Sequence, residues 1–216
     1  MIQLTRQGLV FSGMDADLEL LRQSFERQYY LLLKDFLHPE ITSLILPFLK
    51  RAEYFPAQYT HVGSELRMEP NLASDTLSFL CNDSKLFRLV QTITGCGSIG
   101  CFQGRVYKLI PDPYHNFDWH DDLSDPSRLT TMSINLSEGR FRGGVLQIRE
   151  SHSGKIISEV ANTDFGSAVL FRISENFEHR VTGIEGDMPR TSFTGWFKSG
   201  PGFHFSAKQL QSDTTA

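Results

Sequence analysis

The strongest constraint on the fold is a change of pattern after Gly95-Cys96-Gly97, where short β-rich runs replace helical periodicity. Turn-forming residues separate these runs, for example Ser153-Gly154 and Glu185-Gly186-Asp187. Many short strands at this spacing predict a β-sandwich or jelly roll. The predicted strands span residues 99–110, 129–136, 145–149, 155–160, 167–173, 179–184 and 190–197.

The first 98 residues have mostly helical periodicity. Apolar residues at helical spacing predict helices over 15–28 and 38–52, and a third helical pattern over 74–94 that breaks near Asn82-Asp83. The apolar run 29–36 predicts a buried strand. We expect these helices to pack on the outer face of one sheet, which makes the fold α+β but mainly β.

The central motif is His120-x-Asp122. If it lies on a strand, both side chains point to the same face because strand side chains alternate with period two. A His and a carboxylate on one face supply two of the three ligands of a 2-His-1-carboxylate site for non-haem Fe(II). The motif alone is unspecific, since composition predicts about 0.4 such pairs by chance. Its interpretation therefore depends on residues further along the chain.

Those residues are His179, Arg190 and Ser192. His179 can supply the third metal ligand. Arg190 and Ser192 share a strand face, and a guanidinium beside a hydroxyl suits a carboxylate, because the planar fork donates two charge-assisted hydrogen bonds and the hydroxyl adds a third. A metal triad beside such an anchor implies a co-substrate that carries an acid group and also reaches the metal.

With these residues in order, the segment from about Tyr30 to Phe197 resembles the Fe(II)/2-oxoglutarate-dependent dioxygenases, nearest the prolyl-4-hydroxylase-like branch. The resemblance covers about three quarters of the chain. The matching segments are Tyr30 to Glu40, His120-x-Asp122, Phe141 to Leu146, His179-Arg180-Val181 and Arg190-x-Ser192. Two features differ from prolyl 4-hydroxylases proper, which often have Lys where Arg190 stands and a shorter turn where this chain has residues 110–119.

The resemblance implies a double-stranded β-helix (a jelly roll, cupin-like) that binds Fe(II), 2-oxoglutarate and O2, with ascorbate as a supporting reductant. It implies His120, Asp122 and His179 as metal ligands, and Arg190, Ser192 and Tyr107 as 2-oxoglutarate ligands. The carboxylate of Asp122 favours hydroxylation over halogenation, with succinate and CO2 as co-products. The expected organisation is a single domain with an N-terminal helical support carrying one or two strands (1–98), a catalytic core (99–198) and a loosely held tail (199–216).

The predicted substrate pocket surrounds this site. The loop 111–119 is expected to frame its entrance with Tyr114 and His115, and alternation suggests that Arg105, Gln147 and Arg149 face the barrel interior. Two inward arginines would favour an anionic group on the substrate. Trp119 and Trp196 are assigned to the core or the pocket wall.

Two nearby motifs receive structural interpretations. His38-Pro39-Glu40 also has a His and a carboxylate two positions apart, but it opens a helix, where the two side chains diverge and an acidic group is favoured by the helix dipole. Asp121 is expected to point away from the metal because its neighbours point toward it.

Three functions remain open at this stage. The chain could hydroxylate a peptide, protein or amino-acid-like substrate, or a small natural-product intermediate. As a different class, it could be a non-catalytic cupin-like protein that binds a metal or ligand.

Composition and charge narrow the range of expected binding partners and cell compartments. The net charge of -4 with interspersed signs argues against general nucleic-acid binding. Residues 1–6 lack the apolar core of a signal peptide, and no stretch approaches the roughly 20 apolar residues of a membrane helix. Three cysteines without metal spacing make disulfides unexpected, which fits a reducing cytoplasm and a ferrous site. The oligomeric state stays open.

Overall fold

In a computed structural model of the chain, which describes residues 1–59, 62–112, 115 and 117–200, the fold is a mostly antiparallel jelly roll with four helices. The helices are α1 (Asp15–Gln28), α2 (Pro39–Lys50), α3 (Leu72–Cys81) and α4 (Ser84–Thr94). The strands are β1 (Ile2–Thr5), β2 (Gly8–Phe11), β3 (Tyr30–Leu33), β4 (Tyr54–Tyr59), β5 (Gly63–Met68), β6 (Cys101–Leu109), β7 (Phe117–His120), β8 (Arg128–Asn135), β9 (Arg142–Gly143), β10 (Leu146–Glu150), β11 (Ile156–Val160), β12 (Ala168–Arg172), β13 (Phe177–Val181), β14 (Ile184–Glu185) and β15 (Arg190–Lys198).

Capping residues define where the helices begin and end. Helix α2 starts with Pro at its first position, and the His38 side chain caps it by accepting a hydrogen bond from the Glu40 amide. The predicted break in the third helical pattern is confirmed, because Asp83 caps α4 by accepting from the amides of Lys85 and Leu86. Helix α1 ends at Tyr29, which adopts a left-handed conformation.

The main sheet runs in the order β11-β10-β13-β7-β5-β6-β15-β8-β12-β3, with β4 added against β5. Between β5 and β7 the pairing reduces to one position, Gly63 opposite Phe117. The sheet is therefore nearly divided there into a smaller half, β7-β13-β10-β11, and a larger half that contains β6, β15, β8 and β12. The jelly roll predicted from the β-rich second half of the sequence is confirmed.

Alternation along the strands separates two buried layers. Phe193 and Phe197 on β15 and Ile134 on β8 join the large apolar core that the helices cover. The intervening residues, including Ser192 and Thr194, line a cavity on the opposite face. Phe193 is fully buried, so its replacement by Ala would cost about 3–5 kcal/mol of stability. One sheet thus carries the core on one face and the candidate site on the other.

The sequence underestimated the strands of the N-terminal part. Residues 1–98 contain five strands rather than the one or two expected. Strands β4 and β5 were missed because their structure depends on partner strands more than on apolar alternation. Pro56 lies within β4, which pairs only with β5 and can therefore accept a proline as an edge strand.

Two further observations concern membrane-spanning helices and the C-terminal tail. Within the described residues, no helix is long and apolar enough to cross a membrane. The tail predicted to be loosely held, 199–216, is described only as far as Gly200, and the remainder lies outside the described residues.

Candidate active site

Three side chains converge at the end of the smaller half-sheet. His120 is the last residue of β7 and lies directly opposite His179 on β13, with ring centroids 4.3 Å apart. The carboxylate of Asp122 lies 3.7 Å from His120 Nε2 and 3.3 Å from His179 Nε2. One donor atom from each residue lies within 4.8 Å of the others. Facial ligands of a metal with bonds of about 2.1 Å lie roughly 3 Å apart, so this donor set fits Fe(II).

Asp122 reaches this position by a route that the sequence did not predict. Strand alternation was expected to place it beside His120, but β7 ends at His120 and Asp122 follows in a left-handed conformation, with φ of 64°. Asp and Asn tolerate this backbone better than most residues. Asp121 is exposed, and its carboxylate accepts a hydrogen bond from the Leu123 amide, so it points away from the triad as expected.

The triad is set up to receive a cation. Burial would raise the pKa of Asp122, but the hydrogen bond and charge of His179, the charge of His120 and the Trp196 N–H hold it at about 2. Burial and the neighbouring His179 lower the pKa of His120. The His120 ring places Nδ1 2.7 Å from the Asp118 carbonyl oxygen. Because a carbonyl only accepts, Nδ1 carries a proton, which leaves Nε2, on the side of Asp122, as the nitrogen that can bind a metal.

Two residues hold the candidate carboxylate ligand in place. Trp196 Nε1 donates to Asp122 Oδ2 at 2.8 Å. Arg128 Nη1 donates to the Asp122 carbonyl oxygen at 2.9 Å, and its guanidinium stacks 3.8 Å above the Trp196 ring. Both contacts fix the orientation of Asp122 before any metal binds.

The triad forms one side of a cavity of about 270 Å³ between the two halves of the sheet. The cavity wall is apolar in large part, with a limited set of polar residues. The polar and aromatic hydrogen-bonding residues on it are Tyr59, Glu65, Tyr107, His120, Asp122, Ser124, Arg128, Thr131, Ser133, Asn162, His179, Arg190, Ser192, Thr194 and Trp196.

Arg190 lines the same cavity, and its guanidinium is a buried cation. Its Nη1 donates to Ser192 Oγ at 3.3 Å and its Nη2 to Ser133 Oγ at 3.2 Å, while its buried Nε has no hydrogen-bond partner among the described residues. Burial lowers the pKa of Arg190 to about 10, so the guanidinium remains charged at neutral pH. Thr131 Oγ1 and Asn162 Oδ1, also on the wall, lack partners as well. A buried guanidinium with an unused donor fits a carboxylate ligand.

Tyr107 and Glu65 complete this side of the cavity. Tyr107 lies opposite Ser192 across β6 and β15. Burial raises the pKa of Tyr107 above its usual value, so its hydroxyl stays protonated and able to donate. Glu65 on β5 is only 5% exposed.

Several residues expected to line the substrate pocket do not. Arg105 is exposed and does not line the cavity. Leu146 and Ile148 take the buried positions on β10, so Gln147 and Arg149 point to the outer face. There Arg149 pairs with Glu178 at 2.6 Å. The inward assignment was one position out of register, because a one-residue shift exchanges the two faces of a strand.

Of the aromatic and loop residues that were expected to line the pocket, some line the cavity and others do not. Trp196 lines the cavity, whereas Trp119 lies on the outer face with the guanidinium groups of Arg149 and Arg180 at 4.3 and 4.5 Å from its ring centroid. His115 does not line the cavity, and its amide donates to the Asp112 carbonyl. Tyr114 lies outside the described residues.

Sequence reasoning missed Arg128, Glu65, Asn162 and the polar pair Thr131 and Ser133. The last two had a readable signal, since they alternate with the apolar residues Met132 and Ile134 in the predicted strand 129–136. Glu65 lies in a segment without clear strand periodicity. Arg128 and Asn162 belong to no motif and are brought to the site by the fold.

Comparison with known proteins finds a family model that matches part of the chain and solved structures that share its fold. Residues 103–198 match the family model of the 2OG-Fe(II) oxygenase superfamily. No curated protein sequence matches the chain. An oxidoreductase of the 2OG-Fe(II) oxygenase family from Burkholderia pseudomallei is similar in structure, with a TM-score of 0.66 and 16% identity, over 90% of this chain and 97% of the other.

Two further structures share the fold. A prolyl-4-hydroxylase from Pseudomonas putida has a TM-score of 0.60 and 20% identity, over 85% of this chain and 99% of its own. The non-heme α-ketoglutarate-dependent epimerase SnoN from nogalamycin biosynthesis has a TM-score of 0.61 and 15% identity, over 87% of this chain and 88% of its own. SnoN has also been solved with Fe3+ and α-ketoglutarate.

Proposed function

We propose that this chain, whose residues 103–198 match the family model of the 2OG-Fe(II) oxygenase superfamily, is an oxygenase of this kind that hydroxylates an unactivated C–H bond of a peptide or protein side chain or an amino-acid-like substrate. Succinate and CO2 are the co-products. The observation that carries this proposal is the convergence of His120, Asp122 and His179 on one wall of the cavity that also holds the buried, incompletely paired Arg190.

In this proposal, His120, Asp122 and His179 hold Fe(II), which with 2-oxoglutarate and O2 supplies the oxidising chemistry when bound. His120 and His179 contribute neutral imidazole nitrogens, and Asp122 contributes the single negative charge. Trp196 and Arg128 keep the carboxylate oriented. A fixed ligand set matters because the loss of a hydrogen bond to a metal ligand commonly changes metal affinity 10- to 100-fold.

The co-substrate's distal carboxylate is assigned to Arg190. The unused Nε of Arg190 and the hydroxyl of Ser192 offer charge-assisted and neutral hydrogen bonds to a carboxylate. Tyr107, opposite Ser192, adds a hydroxyl donor in this proposal. Apolar residues such as Leu146, Val169 and Phe171 on the cavity wall exclude water from the reacting atoms.

The choice of hydroxylation over halogenation rests on Asp122. A carboxylate at the third ligand position leaves no vacancy for a halide among the protein's ligands. Its hydrogen bond from Trp196 and its strongly lowered pKa keep it anionic at every working pH. We place the reaction in the cytoplasm, which is supported by the three free cysteines Cys81, Cys96 and Cys101.

A second candidate is oxidation of a small natural-product intermediate. Two observations favour it: the modest cavity volume of about 270 Å³, and the structural similarity to an epimerase of nogalamycin biosynthesis. The non-catalytic cupin-like alternative is set aside, because residues 103–198 match an oxygenase family and Arg190 lines the same cavity as the triad.

The test is succinate formation from 2-oxoglutarate with Fe(II) and ascorbate, run against panels of peptides, amino acids and small aromatic natural products. Mass spectrometry follows each candidate substrate. One added oxygen in a peptide or amino acid supports the proposal. An oxygenated natural product, or one altered at unchanged mass, supports the second candidate. Absence of succinate with every panel, despite bound Fe(II), would overturn both.

A further inference from the structure

Glu65 is a buried carboxyl group that the proposed mechanism does not use. It lies on β5, where Leu66 pairs with Lys108, so Glu65 is level with Leu109 on β6. On the other side of β6, Arg190 pairs with the same Leu109. Glu65 and Arg190 therefore flank one residue from two sides, and both side chains line the cavity. They are 5% and 9% exposed, respectively.

Within the described residues, Glu65 forms no ion pair within 4.0 Å. The Tyr59 hydroxyl is hydrogen-bonded to it, and Arg190 and Arg67 act on it only through their charge. The hydrogen bonds of Arg190 go to the hydroxyls of Ser192 and Ser133 instead. The buried carboxyl thus faces a cation without neutralising it by direct contact.

The titratable groups around Glu65 come from four strands. They are Tyr59 on β4, Arg67 on β5 itself, Tyr107 on β6 and Arg190 on β15. Burial raises the pKa of Glu65 to about 8, while the hydrogen bond from Tyr59 and the two arginines oppose the shift. Burial outweighs the arginines because neither forms an ion pair with the carboxyl.

Binding of 2-oxoglutarate adds a second carboxylate to this region. If its distal carboxylate docks on Arg190, two carboxyl groups share the neighbourhood of one guanidinium in a buried cavity. Two like charges in such a site cannot both be accommodated at low cost, and one of the groups keeps a proton. The co-substrate's carboxylate has the direct contact with Arg190, so the proton resides on Glu65.

We propose that Glu65 is part of the co-substrate site and occupies it as the neutral acid, so that 2-oxoglutarate binding requires one proton on Glu65. This inference rests on the proposed function, specifically on Arg190 as the anchor of 2-oxoglutarate. Glu65 then acts as a binding residue that makes co-substrate affinity depend on pH. An apolar residue at position 65 would leave affinity without this dependence.

The test is isothermal titration of 2-oxoglutarate into the anaerobic Fe(II)-loaded enzyme between pH 7 and pH 9, in pairs of buffers with different ionisation enthalpies. Affinity should fall about tenfold across this range, and binding at pH 9 should take up close to one proton. Glu65→Gln, which is always neutral, should bind with nearly constant affinity and take up no proton. The Glu65 charge raises the pKa of Arg190, so any loss of charge on Arg190 at high pH is larger in Glu65→Gln and works against the expected difference between the two proteins.

Glu69→Gln is the matched control, because Glu69 is exposed just beyond β5 and should leave the wild-type behaviour intact. Absence of proton uptake by the wild type at pH 9 overturns the inference, even if Glu65→Gln fails to fold. So does a Glu65→Gln protein that retains the wild-type pH dependence. If Arg190→Met binds 2-oxoglutarate as tightly as the wild type, the proposed anchor itself is wrong and the inference falls with it.

Discussion

The two ends of the cavity differ in how their charged side chains are paired. At the metal end, Asp122 is held by Trp196 and lies against His120 and His179, and its pKa is lowered to about 2. At the other end, among the residues that the structure describes, Arg190 keeps an unused donor and Glu65 has no ion-pair partner. One end satisfies its carboxylate from within the protein, whereas the other leaves a guanidinium and a carboxyl group without direct pairing to each other.

The difference indicates what each end has to bind. Protein groups orient the three candidate metal ligands in advance, so a cation would enter a site whose geometry is already fixed. The carboxylate end has buried polar atoms that cost free energy until a ligand satisfies them. Substitutions at the two ends should therefore separate metal affinity from co-substrate affinity.

The largest effect is expected from His179→Ala. Loss of one of three ligands should lower Fe(II) affinity by more than about 100-fold, beyond the range for outer contacts, and abolish substrate oxidation. Anaerobic metal titration measures the affinity directly. His152→Ala is the control, because His152 is also near a carboxylate, at 3.8 Å from Glu150, but is exposed. Equal metal affinity in the two variants would contradict the triad.

Next in size is Arg190→Met. Removing a buried guanidinium that anchors a carboxylate should weaken 2-oxoglutarate binding roughly 100-fold. Fe(II) affinity should stay near the wild-type value, since Arg190 contacts hydroxyls and no triad residue. Titrations of both ligands on the same protein test this split, with exposed Arg142→Met as the control. A parallel loss of both affinities would show that the two ends are not independent.

A smaller effect is expected from Trp196→Phe. The variant retains the aromatic packing but removes the N–H that donates to Asp122 at 2.8 Å, so Fe(II) affinity should fall about tenfold. Trp119→Phe provides the contrast, because Trp119 stacks on arginines at the outer face and contacts no triad residue described here. Metal titration measures the Fe(II) affinity of both variants. An unchanged affinity in Trp196→Phe would show that the hydrogen bond from Trp196 to Asp122 does not contribute to metal binding.

The smallest effect concerns stability. The folded-state pKa of Glu65 is about 8, above the 4.5 of an ordinary glutamate, so the folded chain keeps a proton that the unfolded chain releases. The free energy of unfolding should therefore fall as pH rises from about 4.5 to 8 and then level off. Glu65→Gln lacks this loss, so its Tm at pH 8 should exceed that of the wild type by on the order of 10 °C. Thermal unfolding at pH 5 and pH 8 measures the gap, and a gap independent of pH would contradict the burial argument.

The sequence predicted what depends on local patterns. Helix α1 has the predicted bounds, and the break between α3 and α4 lies at Asp83, whose side chain caps the second helix. The β-rich second half predicted the jelly roll, and the order of His120, Asp122, His179 and Arg190 predicted which residues meet at one cavity.

What escaped prediction depends on strand pairing. Gln147 and Arg149 were placed inside, but the face of a strand is fixed by its neighbours, and β10 turns Leu146 and Ile148 inward. Glu65 was missed because β5 is defined by its pairing with β4 and β6, and its own sequence has weak periodicity. Arg128 and Asn162 reach the cavity through tertiary structure alone.

The left-handed backbone at Asp122 affects how related sequences should be interpreted. With φ of 64°, this position favours Asp, Asn and Gly for conformational reasons, whether or not a metal binds. An aligned family in which only these three residues occur there would reflect the turn after β7 as much as the chemistry. Asp alone, with Asn and Gly rare, would be the signature of metal ligation. Asn at this position would preserve the turn and should separate loss of the ligand from loss of the fold.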